Sequence, residues 1–196
     1  MPGDDLIASF LTAQRVFAER VHAVPADQWA RPTPDQEWSV ADLVWHLVDE
    51  HRWAEPLLSG VDLEAAGAVV ADLYPAPAGP GGPDLVRAWD IAATQSASAF
   101  RAYGALAGTV HIGRGRAPAP EYLAEMNLDL VVHAWDLGTA ISYPEPLPAG
   151  VVAAVFDEAR AIVDRTPSGM FAAPVEVPAG APLLDRLVAL TGRHPV

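Results

Sequence analysis

One stretch of this chain limits its fold more than any other. Residues 120 to 142, PEYLAEMNLDLVVHAWDLGTAIS, form the strongest helical run, with Tyr122, Met126, Asp129, His133, Asp136 and Leu137 on neighbouring positions. Other segments repeat the pattern. Leu6, Phe10, Ala13, Phe17 and Val21 recur at helical spacing within 4 to 23, where Asp4 and Asp5 suit the positive end of the helix dipole. A second helix is expected to start at Ser39, which forms a capping-box variant with Asp42; Leu43, His46, Leu47 and Glu50 then share a face. Residues 84 to 107 resume the period through Leu85, Trp89, Ala92 and Phe100, a further helix is expected at about 148 to 165, and a short one at 183 to 190.

The connections read differently. PADQWARPTPDQEW, residues 25 to 38, is a loop carrying two tryptophans, and PAPAGPGGP, residues 75 to 83, is a flexible link. Thr109 to Ile112 is β-prone and is followed by glycines, which predicts a small β-hairpin or an extended loop. Long helices with almost no strand predict an all-α bundle, and no repeat or compositional break divides residues 1 to 196, so a single domain is expected.

Composition narrows the function classes. Hydrophobic residues make up 51% of the 196 and charged residues 19%, a globular balance. No apolar run approaches the roughly 20 residues that span a bilayer. The first residues, MPGDDLIASF, are acidic where a signal peptide is basic, so a cytoplasmic protein is expected. A net charge of −13 without a basic cluster argues against nucleic acid and anionic membranes as partners. Cysteine is absent, so any metal is held by nitrogen and oxygen, and any thiol chemistry uses a thiol that arrives with the substrate.

Two segments carry the candidate chemistry: WSVADLVWHLVDEHRW at 38 to 53 and LDLVVHAWDLGTA at 128 to 140. Asp129 and His133 are four residues apart, about 40° of rotation and roughly 6 Å of rise on a helix, so both project to one side. His46 lies in an otherwise apolar helical face and is placed to add a third ligand from a facing helix, leaving positions open as in catalytic zinc sites. The residues alone leave a plainer reading open, in which each histidine is a hydrogen-bonded core residue and Asp129 pairs with an arginine.

RPTPDQEWSVADLVWHLV, DLVVHAWDLGTA and APLLDRLVALTGRHP together resemble the DinB-like superfamily that includes the N-terminal domain of mycothiol-dependent maleylpyruvate isomerase, and most closely an actinobacterial branch of metal-binding proteins. The resemblance covers nearly the whole chain. It implies a four-helix bundle holding a divalent ion, zinc or nickel, through a histidine on the second helix and a carboxylate and histidine four apart on a later one. Here these are His46, Asp129 and His133. The carboxylate is aspartate where the isomerase has glutamate, one methylene shorter. Asp35 follows Pro34 where the branch often has cysteine. The isomerase also has a C-terminal domain, whereas only residues 137 to 196 follow Asp136 here, so maleylpyruvate itself is not carried over as substrate.

Among the remaining polar residues, Asp136 is placed either to accept the second N–H of a ligand histidine or to make a structural hydrogen bond. Glu50 is a fourth ligand, a general base or a solvated carboxylate. His51 is expected to point elsewhere and to be exposed. Glu19 and His22 match one Glu-x-x-His of a di-iron bundle, but the second copy is missing. His111, Arg114 and Arg116 are available to an anionic group or simply solvated. Trp38, Trp45, Trp53, Trp89 and Trp135 divide between pocket wall and core. The glycines at 79 to 82 and at 113 and 115 match no phosphate or dinucleotide loop. Three functions follow: a metal-dependent thiol transferase or isomerase using mycothiol on a small electrophile, with a metal-bound water as the alternative nucleophile; a non-catalytic metal- or ligand-binding protein; or a natural-product biosynthetic enzyme using the same pocket. A monomer or homodimer is expected.

Overall fold

Ser39 opens the second helix as its sequence predicts. Its hydroxyl accepts from the Asp42 N–H, and its own N–H donates to the Asp42 carboxylate at 3.0 Å, which satisfies two end groups at once. The computed structural model of the protein describes residues 2–35, 38–73, 81–102, 104–166 and 171–195. Its helices are α1 (Pro2–His22), α2 (Val40–Leu58), α3 (Leu63–Leu73), α4 (Pro83–Arg101), α5 (Ala119–Ile141), α6 (Ala149–Arg165) and α7 (Leu183–Leu190). A short antiparallel hairpin, β1 (Thr109–Ile112) and β2 (Gly115–Pro118), separates α4 from α5, with Val110 opposite Ala117 and His111 opposite Arg116.

Four helices form the bundle. α1 packs on α4 and α5, α2 packs on α4 and α5, and α6 lies against α5 with α7 against α6. The buried side chains of these elements join into one core, in which Phe17 meets Trp89 edge-on and Phe10 meets Phe100. α5 is the central helix. Between Tyr122 and Leu137 every residue is buried except Glu125 and Asp129, which are one turn apart and share a face. A helix enclosed on nearly all sides draws its polar groups into internal hydrogen bonds; Asn127 Nδ2 donates to Ser9 Oγ at 2.8 Å, while its Oδ1 has no partner among the described residues.

The all-α bundle, the hairpin and the short C-terminal helix agree with the sequence-based expectation. α3 is an addition to it: the Asp62 carboxylate accepts from the Ala65 N–H at 2.8 Å and starts a helix that packs on α2. The expected flexible link at 75 to 83 falls largely outside the described residues. Among the described residues no helix is long and apolar enough to cross a membrane.

His51 corrects the sequence reading. It is 1% exposed rather than solvated, because α2 is covered on two sides: His46 faces α5, while His51, five residues on and about 140° around the helix, faces α1 and α4. Its Nδ1 lies 2.7 Å from Ser96 Oγ and 3.2 Å from Gln14 Nε2, and its ring stacks on Phe10. Burial above all holds it neutral, lowering its pKa to about 3. Replacing His51 by Ala is therefore expected to destabilise the metal-free protein by about 2–4 kcal/mol, through a lost buried hydrogen bond and a cavity. Urea unfolding measures this, and a loss below about 0.5 kcal/mol, the range of neutral surface changes, would contradict the buried placement.

Candidate metal centre

The face of α5 that escapes full burial meets α2 at His46. His46 Nε2 lies 3.3 Å from Asp129 Oδ2, and His133 Nε2 lies 3.2 Å from Asp129 Oδ1. One donor atom from each of the three side chains falls within 4.8 Å of the other two. The indole of Trp38 covers both imidazoles, its ring centroid 4.6 Å from that of His46 and 5.4 Å from that of His133. The loop before α2 positions that indole: Thr33 N–H and Oγ1 both bond to the Trp38 carbonyl, and the Trp38 N–H returns to the Asp35 carbonyl.

Charge is concentrated here. Burial pushes the Asp129 carboxyl up, but the two imidazoles outweigh it and hold the group well below the usual carboxylate range. Burial likewise opposes charge on His133, yet Asp129, then Asp136, raise its pKa to about 9; His46 is raised through Asp129 against the same burial. A cationic partner is therefore favoured between these groups, whether proton or metal ion. Each imidazole faces a different oxygen of Asp129, at 3.3 and 3.2 Å, and the three donors lie within 4.8 Å of one another, close enough for one ion to draw them together at bonds of about 2.0–2.1 Å. Two imidazoles and a carboxylate with no thiolate are a donor set for zinc, nickel or a similar divalent ion.

Asp136 is fully buried, and its Oδ2 accepts from His133 Nδ1–H at 2.9 Å, so it is Nε2 of His133 that faces Asp129, as an N–H donor in the protonated ring and as a lone pair once that proton is displaced. Glu50 stands outside the three-residue cluster but lines the same cavity. Glu50 is half-buried, and burial, then the nearby Asp129, raises its pKa to about 7.

The cavity, about 350 Å³, extends from His46 and Asp129 past Glu50, Tyr122 and Met126 to Arg114, Ile162 and Phe171. Arg114 leaves the hairpin tip and turns inward to Glu125, at 2.5 Å, and Glu121, at 3.4 Å; Arg165 reaches the same Glu125 at 3.0 Å. Tyr122 presents a buried hydroxyl without a hydrogen-bond partner among the described residues. Arg116 is exposed beside Thr109, and His22 is exposed and paired with Asp90, so neither joins the site. Trp89 is core, whereas Trp38 is a wall of the centre.

The sequence reading did not single out Arg193. Its guanidinium is 8% exposed and contacts Asp136 at 3.0 and 3.4 Å and Asp35 at 2.7 Å. Gly192, just past the end of α7, was the available signal, since glycine there marks a helix stop that redirects the chain.

Comparison with known proteins agrees with this architecture. An uncharacterized protein of Mycobacterium tuberculosis, found in two strains, is 31% identical over 192 residues, 96% of this chain and 98% of its own. A crystal structure of a mutant of the mycothiol-dependent maleylpyruvate isomerase superposes with a TM-score of 0.63 at 15% identity, covering 83% of this chain and 70% of that one, a likeness of fold. Residues 10–138, which include His46, Asp129, His133 and Asp136, match the family model of the mycothiol maleylpyruvate isomerase N-terminal domain, and the chain belongs to that family.

Proposed function

We propose that this protein is a divalent-metal-dependent enzyme of the thiol transferase or isomerase type, using mycothiol on a small electrophile. The observation that carries the reading is the convergence of His46, Asp129 and His133, the first two of which line a cavity of about 350 Å³. Zinc, or alternatively nickel, would be held by His46, Asp129 and His133, and when bound it would supply Lewis acidity that makes a thiol or water a stronger acid. The family and the isomerase of similar fold favour the thiol. The absence of cysteine means the sulfur nucleophile is brought in rather than built in.

The chain's own residues have separate tasks. Asp136 keeps the His133 proton on Nδ1. Glu50, half-buried in the cavity that His46 and Asp129 also line, takes up or returns a proton beside the reacting groups. The Tyr122 hydroxyl offers a donor to a substrate oxygen, and Ile112, Met126, Ile162 and Phe171 give an apolar wall that excludes water from the reacting groups.

Protein purified without chelator is expected to carry roughly one divalent ion per chain, the capacity of a single three-ligand centre. His133→Ala should lose it with the helices intact, Asp129→Glu should keep it, and His22→Ala should be silent. Elemental analysis measures all four, and a wild-type protein that takes up neither zinc nor nickel would refute the centre.

Stability should depend on pH with a definite sign. His133 has its folded pKa raised to about 9 from 6.5, so its contribution to the metal-free protein is complete below pH 6.5 and is lost as pH rises through 9. The melting temperature in chelator is expected to fall over that window, whereas metal affinity should rise there because the ion displaces protons. A melting temperature that climbs from pH 6.5 to 9 in chelator would contradict this assignment.

Mycothiol should perturb the visible spectrum of the cobalt-substituted protein, since a coordinated thiol loses its proton far more readily than a free one at about pH 8.5. Glu50→Gln should keep the metal yet slow conjugation to an electrophile by about 10²–10⁴-fold, the usual effect of removing a general acid or base. A cobalt spectrum indifferent to thiol would leave water as the nucleophile or a binding role alone.

A further inference from the structure

A line of charged side chains joins the C-terminal segment to the centre. His133 Nδ1–H donates to Asp136 Oδ2; Arg193 Nη2 donates to that same oxygen at 3.0 Å and to Asp35 Oδ2 at 2.7 Å, while Arg193 Nε faces Asp136 Oδ1 at 3.4 Å. Three chain segments far apart in sequence meet there: the loop before α2, the middle of α5 and the residues after α7. Asp35, His133 and Asp136 have donor atoms close enough to hold a cation of their own. The guanidinium of Arg193 already supplies it.

The position of Arg193 is built rather than incidental. α7 ends with Gly192 at φ +87°, its N–H bonded to the Ala189 carbonyl and the Arg193 N–H to the Val188 carbonyl, the paired bonds of a Schellman stop. A Cβ on Gly192 would lie 2.5 Å from Ala172 Cβ, so glycine is required twice, by conformation and by space. Arg193 Nη1 then bonds back to the Thr191 carbonyl at 2.9 Å, which fixes the direction of the fork.

Asp136 is 0% exposed, and Arg193 is its one cationic contact other than His133 among the described residues. A buried carboxylate stripped of such a partner carries a large uncompensated desolvation cost, which it relieves by turning away. That movement deprives His133 of the acceptor that orients its ring. We infer that Arg193 is a positioning residue of the metal centre, and that docking of the C-terminal segment and metal binding are coupled through Asp136. The inference rests on the metal reading given under Proposed function, and it assigns to the end of the chain a task in that centre.

The test uses the full-length protein and zinc alone. Zinc affinity is measured by competition with a chromophoric chelator for wild type, Arg193→Met and Val21→Ala. The last is a core change on α1, remote from α7, that lowers stability for unrelated reasons. Removal of a direct partner of a metal ligand weakens binding by about 10–100-fold, and Arg193→Met, which acts one contact further out through Asp136, is expected near the lower end, at about tenfold. Val21→Ala is expected to stay within about twofold despite the buried methyl groups it removes. In wild type, zinc should also slow amide hydrogen exchange in residues 183 to 195, because coupling between two sites is reciprocal.

Affinity unchanged in Arg193→Met, or lowered as much in Val21→Ala, would overturn the inference while leaving the metal centre standing. Exchange in 183 to 195 indifferent to zinc would do the same and needs no variant. A wild-type protein that binds no zinc or nickel would remove the metal reading and this inference with it.

Discussion

A carboxylate held between two imidazoles at the seam of α2 and α5 sets the terms for the rest of this structure. Asp129 is one of two residues on the central stretch of α5 that escape full burial, and the space in front of it is bounded by His46, His133 and the indole of Trp38. An anion in so enclosed a place needs cations nearby, and the protein arranges its neighbours to provide them or to admit one. The neighbours need support in turn: Asp136 for His133, Arg193 for Asp136, and Thr33 for the loop that carries Trp38.

The same face of α5 shows a division of labour. Glu121, Glu125, Asp129 and His133 stand at four-residue intervals, one helical turn apart. The first two are matched by arginines from the hairpin and from α6, so their charges are already answered within the protein. The last two face His46 and keep their capacity for a cation. A single cavity runs beside this ladder, with its charged end at Asp129 and its ion-paired end at Arg114 and Glu125.

Much of this was legible in the sequence, for reasons that are local. The period of residues 120 to 142, the Ser39–Asp42 cap and the four-residue spacing of Asp129 and His133 each depend on neighbours within a turn or two, and each appears as read. Asp136 was visible for the same reason, lying three residues from the histidine that it orients. His51 was misjudged because its burial comes from Gln14 and Ser96, on helices distant in sequence. Arg193 and the inward turn of Arg114 escaped because a long flexible side chain carries no periodic mark of where its end will lie. α3 was missed although Asp62 stands as its N-terminal cap, because a short helix with few large apolar residues has a weak period.

The indole lying over both imidazoles has an optical consequence. Tryptophan emission is quenched at short range by transition ions with partly filled d shells, whereas zinc, with a filled shell, has no such effect. Trp38 is within van der Waals reach of the very rings that would bind the ion, while Trp89 is sealed in the core on the far side of α2 with His51 and Phe17. A cobalt or nickel ion held by those rings would therefore dim Trp38 more than Trp89, whereas zinc in the same place would leave both bright.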